Sequence, residues 1–244
     1  MSKQLRVVTY NIRKGKGASG RQRSGVTALG RALASHKLDI LMCQEVFHSR
    51  LSGTSQSALI GQAVDLHPYY EPNKRRRVGH HGNATFTDLP VEYVCNFDIS
   101  TNRIEHRGAL YTYMEVDGRP LHVLNVHLGL NYRQRLKQIS RIEKILALHT
   151  GAGDSVILAG DFNDWHERLD EPIVRGLGLH NAFRNVRGSK RYTWHARRPI
   201  FNLDRIYVRN LSVVKARRLS GKPWQDLSDH LPLWVELKLG DRSR

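Results

Sequence analysis

From Ser155 the run Val156-Ile157-Leu158 leads into Ala159-Gly160-Asp161-Phe162-Asn163-Asp164, where polar groups crowd a glycine turn. A short β-branched and aliphatic run bounded by turn residues predicts a buried strand. The pattern recurs at Gln4 to Ile12, Leu38 to Cys43, Val91 to Phe97, Ala109 to Val116, Leu121 to Leu128, Asp204 to Val208, Val213 to Arg217 and Leu231 to Leu237. Asp117-Gly118 between two of these runs is a hairpin signal. Helical spacing takes over elsewhere. Val26, Leu29 and Leu33 follow a Ser24 cap in a helix ending near His36, and Leu59, Ile60, Ala63 and Val64 share one face between Ser52 and Pro68. Asn131 opens the strongest helix, with Leu136, Ile139, Ile142, Ile145 and Leu146 on one side, ending near Gly151. A shorter helix is expected from Arg168 to Gly176. Arg13 to Arg23 reads as an exposed loop, Gln44-Glu45 as the residues just past a strand, and His80-His81-Gly82-Asn83 as a loop.

A chain of 244 residues can bury a substantial core, and no repeat, linker or low-complexity stretch divides it, so one domain spanning 1–244 is expected. No apolar run reaches the length of a membrane span, and the first residues enter a strand too early for a signal peptide. Cys43 and Cys95 lie in apolar runs and read as buried free thiols of a cytoplasmic protein. The net charge of +17 favours polyanionic partners, nucleic acid or an anionic membrane surface.

Polar residues at the ends of apolar runs carry the candidate chemistry: Asn11, Glu45, His127, Asp161, Asn163, Asp204, Asp229 and His230. A hard cation such as Mg²⁺, with Mn²⁺ as a substitute, takes carboxylate oxygens together with water and phosphate. Glu45 with Asn11 or Asp229 suits that task. A carboxylate-oriented histidine suits proton transfer, and Asp204 with His230 is the candidate pair.

Six short motifs then stand in order: Thr9-Tyr10-Asn11-Ile12, Gln44-Glu45-Val46, Asn125-Val126-His127-Leu128, Gly160-Asp161-Phe162-Asn163, Leu203-Asp204-Arg205-Ile206 and Ser228-Asp229-His230. Together they resemble the Mg²⁺-dependent endonuclease/exonuclease/phosphatase superfamily, to which pancreatic-type deoxyribonuclease belongs. His81-Gly82-Asn83-Ala84 and Asn163-Asp164-Trp165 are similar to its small bacterial members. The resemblance implies an α/β fold, a four-layer α-β-β-α sandwich of two mainly antiparallel or mixed sheets flanked by helices, with the site at one end. It implies metal binding by Glu45, with help from Asn11 and Asp229. It makes Asp161 the group that orients or deprotonates water, and Asn163 the one that steadies that water or the phosphoryl group. His230, oriented by Asp204, becomes an acid/base or phosphate contact, and His127 a phosphate ligand or proton donor to the leaving oxygen.

Departures from subfamily patterns narrow the substrate. Abasic-site repair members resemble one another in a lysine soon after Gln-Glu and a tyrosine at the His127 position, whereas this chain has Val46-Phe47-His48 and a histidine. The inositol-phosphatase branch has Leu-Asn where Phe162-Asn163 stands. Lys74 to Arg77, Arg187 to Arg198 with Tyr192 and Trp194 interleaved, and Lys215 to Arg218 suit a nucleic-acid backbone. The expectation is a monomeric nucleic-acid phosphodiesterase. The alternatives are a hydrolase of phospholipids or other small phosphate esters at an anionic surface, and then a non-catalytic nucleic-acid binder.

Overall fold

The computed structural model describes residues 3–20, 25–51, 53, 55–76, 79–186 and 188–240. Arg23, Ser24, Ser52, Arg77 and Arg187, named above as a loop bound, a cap, a helix bound and members of two basic segments, lie outside the described residues. In chain order the strands are β1 (Gln4–Asn11), β2 (Ile40–Ser49), β3 (Pro68–Arg76), β4 (Gly79–Phe86), β5 (Val91–Asp98), β6 (Gly108–Val116), β7 (Arg119–His127), β8 (Ser155–Asp161), β9 (His180–Asn181), β10 (Asp204–Arg209), β11 (Leu211–Arg218) and β12 (Leu233–Leu239). The helices are α1 (Gly25–Ala34), α2 (Gln56–Val64), α3 (Tyr132–His149), α4 (Asp170–Gly176) and α5 (Trp224–Leu227).

The strands form two six-stranded sheets, ordered β11-β12-β1-β2-β4-β3 and β5-β6-β7-β8-β10-β9. Each is mixed. β1–β2 and β7–β8 are parallel pairs, and their neighbours are antiparallel. Period-two alternation sorts the side chains into layers. Leu5 and Val7 of β1 meet Ile157 and Ala159 of β8 between the sheets. Val8 and Tyr10 face α1, α2 and α5 on one outside, while Val156 and Leu158 face α3 and α4 on the other. The expected four layers are therefore present. Asn131 caps α3, accepting the Arg133 N–H at 2.9 Å.

Three buried amides lace the sheets together. Gln44 donates to Thr9 Oγ1 at 3.0 Å and to Asn125 Oδ1 at 2.8 Å. Asn125 in turn donates to the Ala84 carbonyl at 2.9 Å, and Asn83 donates to the Asn125 carbonyl at 3.0 Å. Buried amides persist only when bonded, and these bonds fix the two sheets in one register.

Several expectations are corrected. His80 to Asn83 belong to β4, where ladder bonds to β2 and β3 supply the order their polar sequence hides. Gln44 and Glu45 lie within β2 and not beyond it. Leu59 on α2 is exposed, and Ile60 carries that helix's contact with the core. Arg13–Gly15 form a 3₁₀ turn at the start of the expected loop. Cys43 and Cys95 are free thiols in different sheets, but Cys95 is only half-buried. Among the described residues no helix is long and apolar enough to cross a membrane.

Candidate active site

Topology decides which side chains meet. The parallel pairs β1–β2 and β7–β8 bring Asn11, Glu45, His127 and Asp161 out at one end. β10 and β12 run antiparallel to β8 and β1, so their first residues open at that same end. Asp204 is thereby paired across from Asp161, and Asp229-His230 lead into β12. The segment before β10 braces this last stretch, Ala196 N–H donating to the Asp229 carbonyl at 2.7 Å and Leu231 N–H to the Thr193 carbonyl at 2.9 Å.

Two backbone features aim the key groups. The β2–β4 ladder slips between Cys43 and Val46, a bulge that holds Glu45 at φ 57°. Asn163 sits at φ 50° in the turn after β8. Left-handed conformations of non-glycine residues cost energy and cluster where function requires them. Gly160 has a different reason: a Cβ there would collide with the Val126 carbonyl of the neighbouring strand.

Asp161 is the hub. Its Oδ2 accepts from Asn11 Nδ2 at 2.9 Å and lies 3.5 Å from His127 Nε2 and 3.8 Å from His230 Nε2. Its Oδ1 accepts the Asn163 N–H at 2.9 Å. The other face of the His230 ring gives Nδ1–H to Asp204 Oδ2 at 2.7 Å. Glu45 stands at the mouth, with Oε1 3.5 Å from Asn11 Nδ2 and Oε2 3.6 Å from Lys14 Nζ. Asp229 lies 3.3 Å from Arg13 Nε. Asn163 Nδ2 donates to the Leu128 carbonyl at 2.9 Å and ties its turn to the one after His127.

The electrostatics push these groups apart. Burial raises the Asp161 carboxyl to about 6, against the pull of His230. Burial works against charge on His230 as well, but the Asp204 and Asp161 carboxylates outweigh it and hold the imidazole protonated up to about 10. His127 goes the other way. Burial, then the nearby Arg107 and His230 cations, drive it well below the usual imidazole range, so it is neutral at pH 7. One pocket thus holds a poised carboxylate, a fixed imidazolium and a neutral imidazole.

A sequence model of the endonuclease/exonuclease/phosphatase family matches residues 8–230. The chain belongs to that family. Its members and fold are typically those of phosphoester hydrolases. The uncharacterized protein YbhP of Escherichia coli (strain K12) is 33% identical over 246 residues, covering 96% of each chain. The endonuclease/exonuclease/phosphatase from Beutenbergia cavernae DSM 12333 has a similar structure, with TM-score 0.82 at 18% identity over 98% of this chain and 72% of that one. TDP2 from C. elegans gives TM-score 0.72 at 19% identity, over 96% and 75%. At such identities the solved structures speak for the fold.

Two places in the family site could attract a cation. Ligand atoms of Asp161, Asp204 and His230 lie within 4.8 Å of one another. A doubly protonated imidazole has no lone pair to give, however, and its Nδ1 proton already occupies an Asp204 oxygen. Glu45 beside Lys14, and Asp229 beside Arg13 of the same turn, offer the oxygen donors that suit a hard divalent ion. The donor set fits there.

Several neighbours of these groups carry no catalytic role in the sequence reading. Arg13 and Lys14 read as loop cations, yet they sit on Asp229 and Glu45; their place directly after the Asn11 motif is the signal. Ser228 binds the Asn11 carbonyl at 2.7 Å and receives the His230 N–H at 3.3 Å, joining two motifs. Beside the Asn163 turn Trp165 meets Trp194 and Phe201 edge-to-face, at 5.0 and 4.9 Å between centroids, and Trp194 lies tilted to Phe201 at 6.0 Å.

Proposed function

We propose that this chain is a Mg²⁺-dependent phosphodiesterase that hydrolyses nucleic-acid phosphodiesters. The observation that carries this reading is the Asp161 hub, where a carboxylate poised near 6 touches an amide donor and faces two imidazoles in opposite protonation states. Asp161 orients a water and takes its proton. Asn163, its Nδ2 already engaged, keeps an acceptor oxygen for that water. Asn11 holds Asp161 in place and links it to Glu45. His230, kept cationic by Asp204, faces the negative charge that builds on the phosphoryl oxygens. Neutral His127 donates a hydrogen bond to phosphate. Glu45, supported by Asp229, would hold Mg²⁺, which when bound supplies Lewis-acid stabilisation of the phosphoryl oxygens. The +17 charge supports a polyanionic substrate.

The test is cleavage of bis-p-nitrophenyl phosphate, then of plasmid, single-stranded DNA and RNA, with Mg²⁺ or Mn²⁺. Activity is expected to vanish with EDTA and return with metal. Glu45→Gln is expected to raise the metal concentration for half-activation at least about tenfold, since even outer-shell partners of a metal cost 10–100-fold in affinity. Cleavage undiminished by EDTA would sink the metal assignment. A second reading rests on the same positive charge, which also suits an anionic membrane surface. Hydrolysis of phospholipid headgroups with no action on any nucleic acid would select it.

The pH profile follows from the same groups. Asp161 must be ionised to act, so kcat/KM is expected to climb as pH rises through about 6. His230 must be protonated, so it is expected to fall as pH rises through about 10. The two limbs belong to the coupled pair rather than to single residues. A profile flat from pH 5 to 8 would contradict the assignment of Asp161 as base.

A further inference from the structure

A second recess lies at the far end of the β5–β8 sheet. Its floor is an aromatic ladder: Tyr93 on β5 pairs across from Tyr113 on β6, which pairs across from His122 on β7. Tyr111, Pro120, His149 at the end of α3 and Asp154 before β8 complete a cavity of about 320 Å³. His122 stands five residues before His127 on one strand, about 17 Å away at the rise of an extended chain. The recess is therefore separate from the Asp161 hub.

On a chain of net charge +17 this wall is acidic, with Glu115, Asp154 and Glu92 all close enough to raise the Tyr113 phenol, after burial. Arg209 is the opposing cation, and His149 stands beside His122. The Asp154 carboxyl is fixed in place by two hydrogen bonds. Its Oδ2 accepts from His122 Nε2 at 3.1 Å and from the Gly151 N–H at 2.7 Å. Burial keeps the His122 ring neutral, so with its proton on Nε2 its Nδ1 receives the Tyr111 hydroxyl at 2.7 Å. That chain locks the carboxylate in place, and Oδ1 takes no hydrogen bond among the described residues. Tyr113 and Tyr111 stack on His122 at 5.0 and 5.9 Å, while Tyr93 stands at 61° and 6.1 Å to Tyr111 and Tyr111 at 41° and 5.4 Å to His149. Tyr93 remains half-exposed at the opening.

Aromatic faces carry partial negative charge, and rings beside a carboxylate recognise cations too weakly hydrated to be lost to water. We propose that the recess formed by Tyr93, Tyr111, Tyr113, His122 and Asp154 is a binding site for a small organic cation of the alkylammonium class. The volume admits a small molecule and excludes a folded segment. A polyanion is disfavoured by the three acids, so this site is not an extension of the nucleic-acid track.

The probe is choline, followed by titration calorimetry and by the proton signal of its N-methyl groups. Expected are a dissociation constant of about 1 mM or tighter, an upfield shift of the N-methyl signal from the ring currents, and no effect of sodium chloride at equal ionic strength. Tyr93→Leu and Asp154→Asn should each weaken binding about five- to tenfold, whereas Tyr93→Phe should stay within about twofold because the ring face persists. Phosphodiesterase activity should be unchanged in all three. Tyr93 is exposed enough to be replaced without unfolding, and circular dichroism checks that. No saturable binding at about 50 mM choline, or binding indifferent to Tyr93→Leu, overturns the proposal.

Discussion

Asp161→Asn is expected to lower kcat for bis-p-nitrophenyl phosphate about a thousandfold while leaving the protein folded. A positioned general base contributes roughly 10²–10⁴-fold, and Asp161 is the carboxylate to which Asn11 and the Asn163 backbone both donate. An amide of the same shape keeps the packing but cannot take a proton. The stability side can be signed. A carboxyl whose folded pKa lies above its unfolded one favours folding while protonated, and that contribution is lost as pH rises from the usual carboxylate range to about 6. At pH 7 the wild-type protein therefore holds a buried charge that desolvation disfavours, and the amide does not. The melting temperature at pH 7 is expected to hold or rise. A large loss of kcat with an unchanged melting curve separates a catalytic carboxylate from a structural one. Undiminished hydrolysis in Asp161→Asn would remove Asp161 from the role of base.

Much of this was legible because apolar runs ending in a single polar residue report both the strand and its exit. Asn11, His127 and Asp161 follow that rule, and parallel pairing then carries them to one end. The rule fails where order comes from pairing instead of pattern. Gly79 to Asn83 has no apolar alternation, yet it is a strand because β2 and β3 flank it, and a Cβ on Gly82 would strike the Glu71 carbonyl. The basic run that starts at Lys74 lies on β3 as far as Arg76, and β3 ends its sheet. Glu45 shows a further limit. Its place within β2 depends on a register slip that no local residue signals.

Alternation also settles the neighbours Asp204 and Arg205. Asp204 turns to His230, and Arg205 points to the opposite face, where it is fully buried. Its partner is Asp164, at 3.0 Å from Nη2. A second buried guanidinium, Arg135 from α3, approaches the same carboxylate at 3.6 Å and donates to the Leu130 carbonyl at 2.6 Å. Asp164 stands one residue from Asn163 and in sequence belongs to the same acidic turn, but its side chain is the counter-ion of an internal cation pair. Asp164→Ala is therefore expected to act mainly on stability. Removing one member of a buried ion pair costs about 3–5 kcal/mol because the remaining charge is stranded. In a chain of this size, where each kcal/mol moves the midpoint about 2–4 °C, the melting temperature should fall about 10 °C. The loss should be greater than for Glu171→Ala, whose partner Arg175 is an exposed neighbour on α4. If Asp164→Ala melts like wild type, the two guanidinium groups have another source of compensation and the clamp between α3 and the Asn163 turn is misassigned. If it melts early but retains kcat below the transition, the acid next to the site is structural, and the chemistry rests on Asp161.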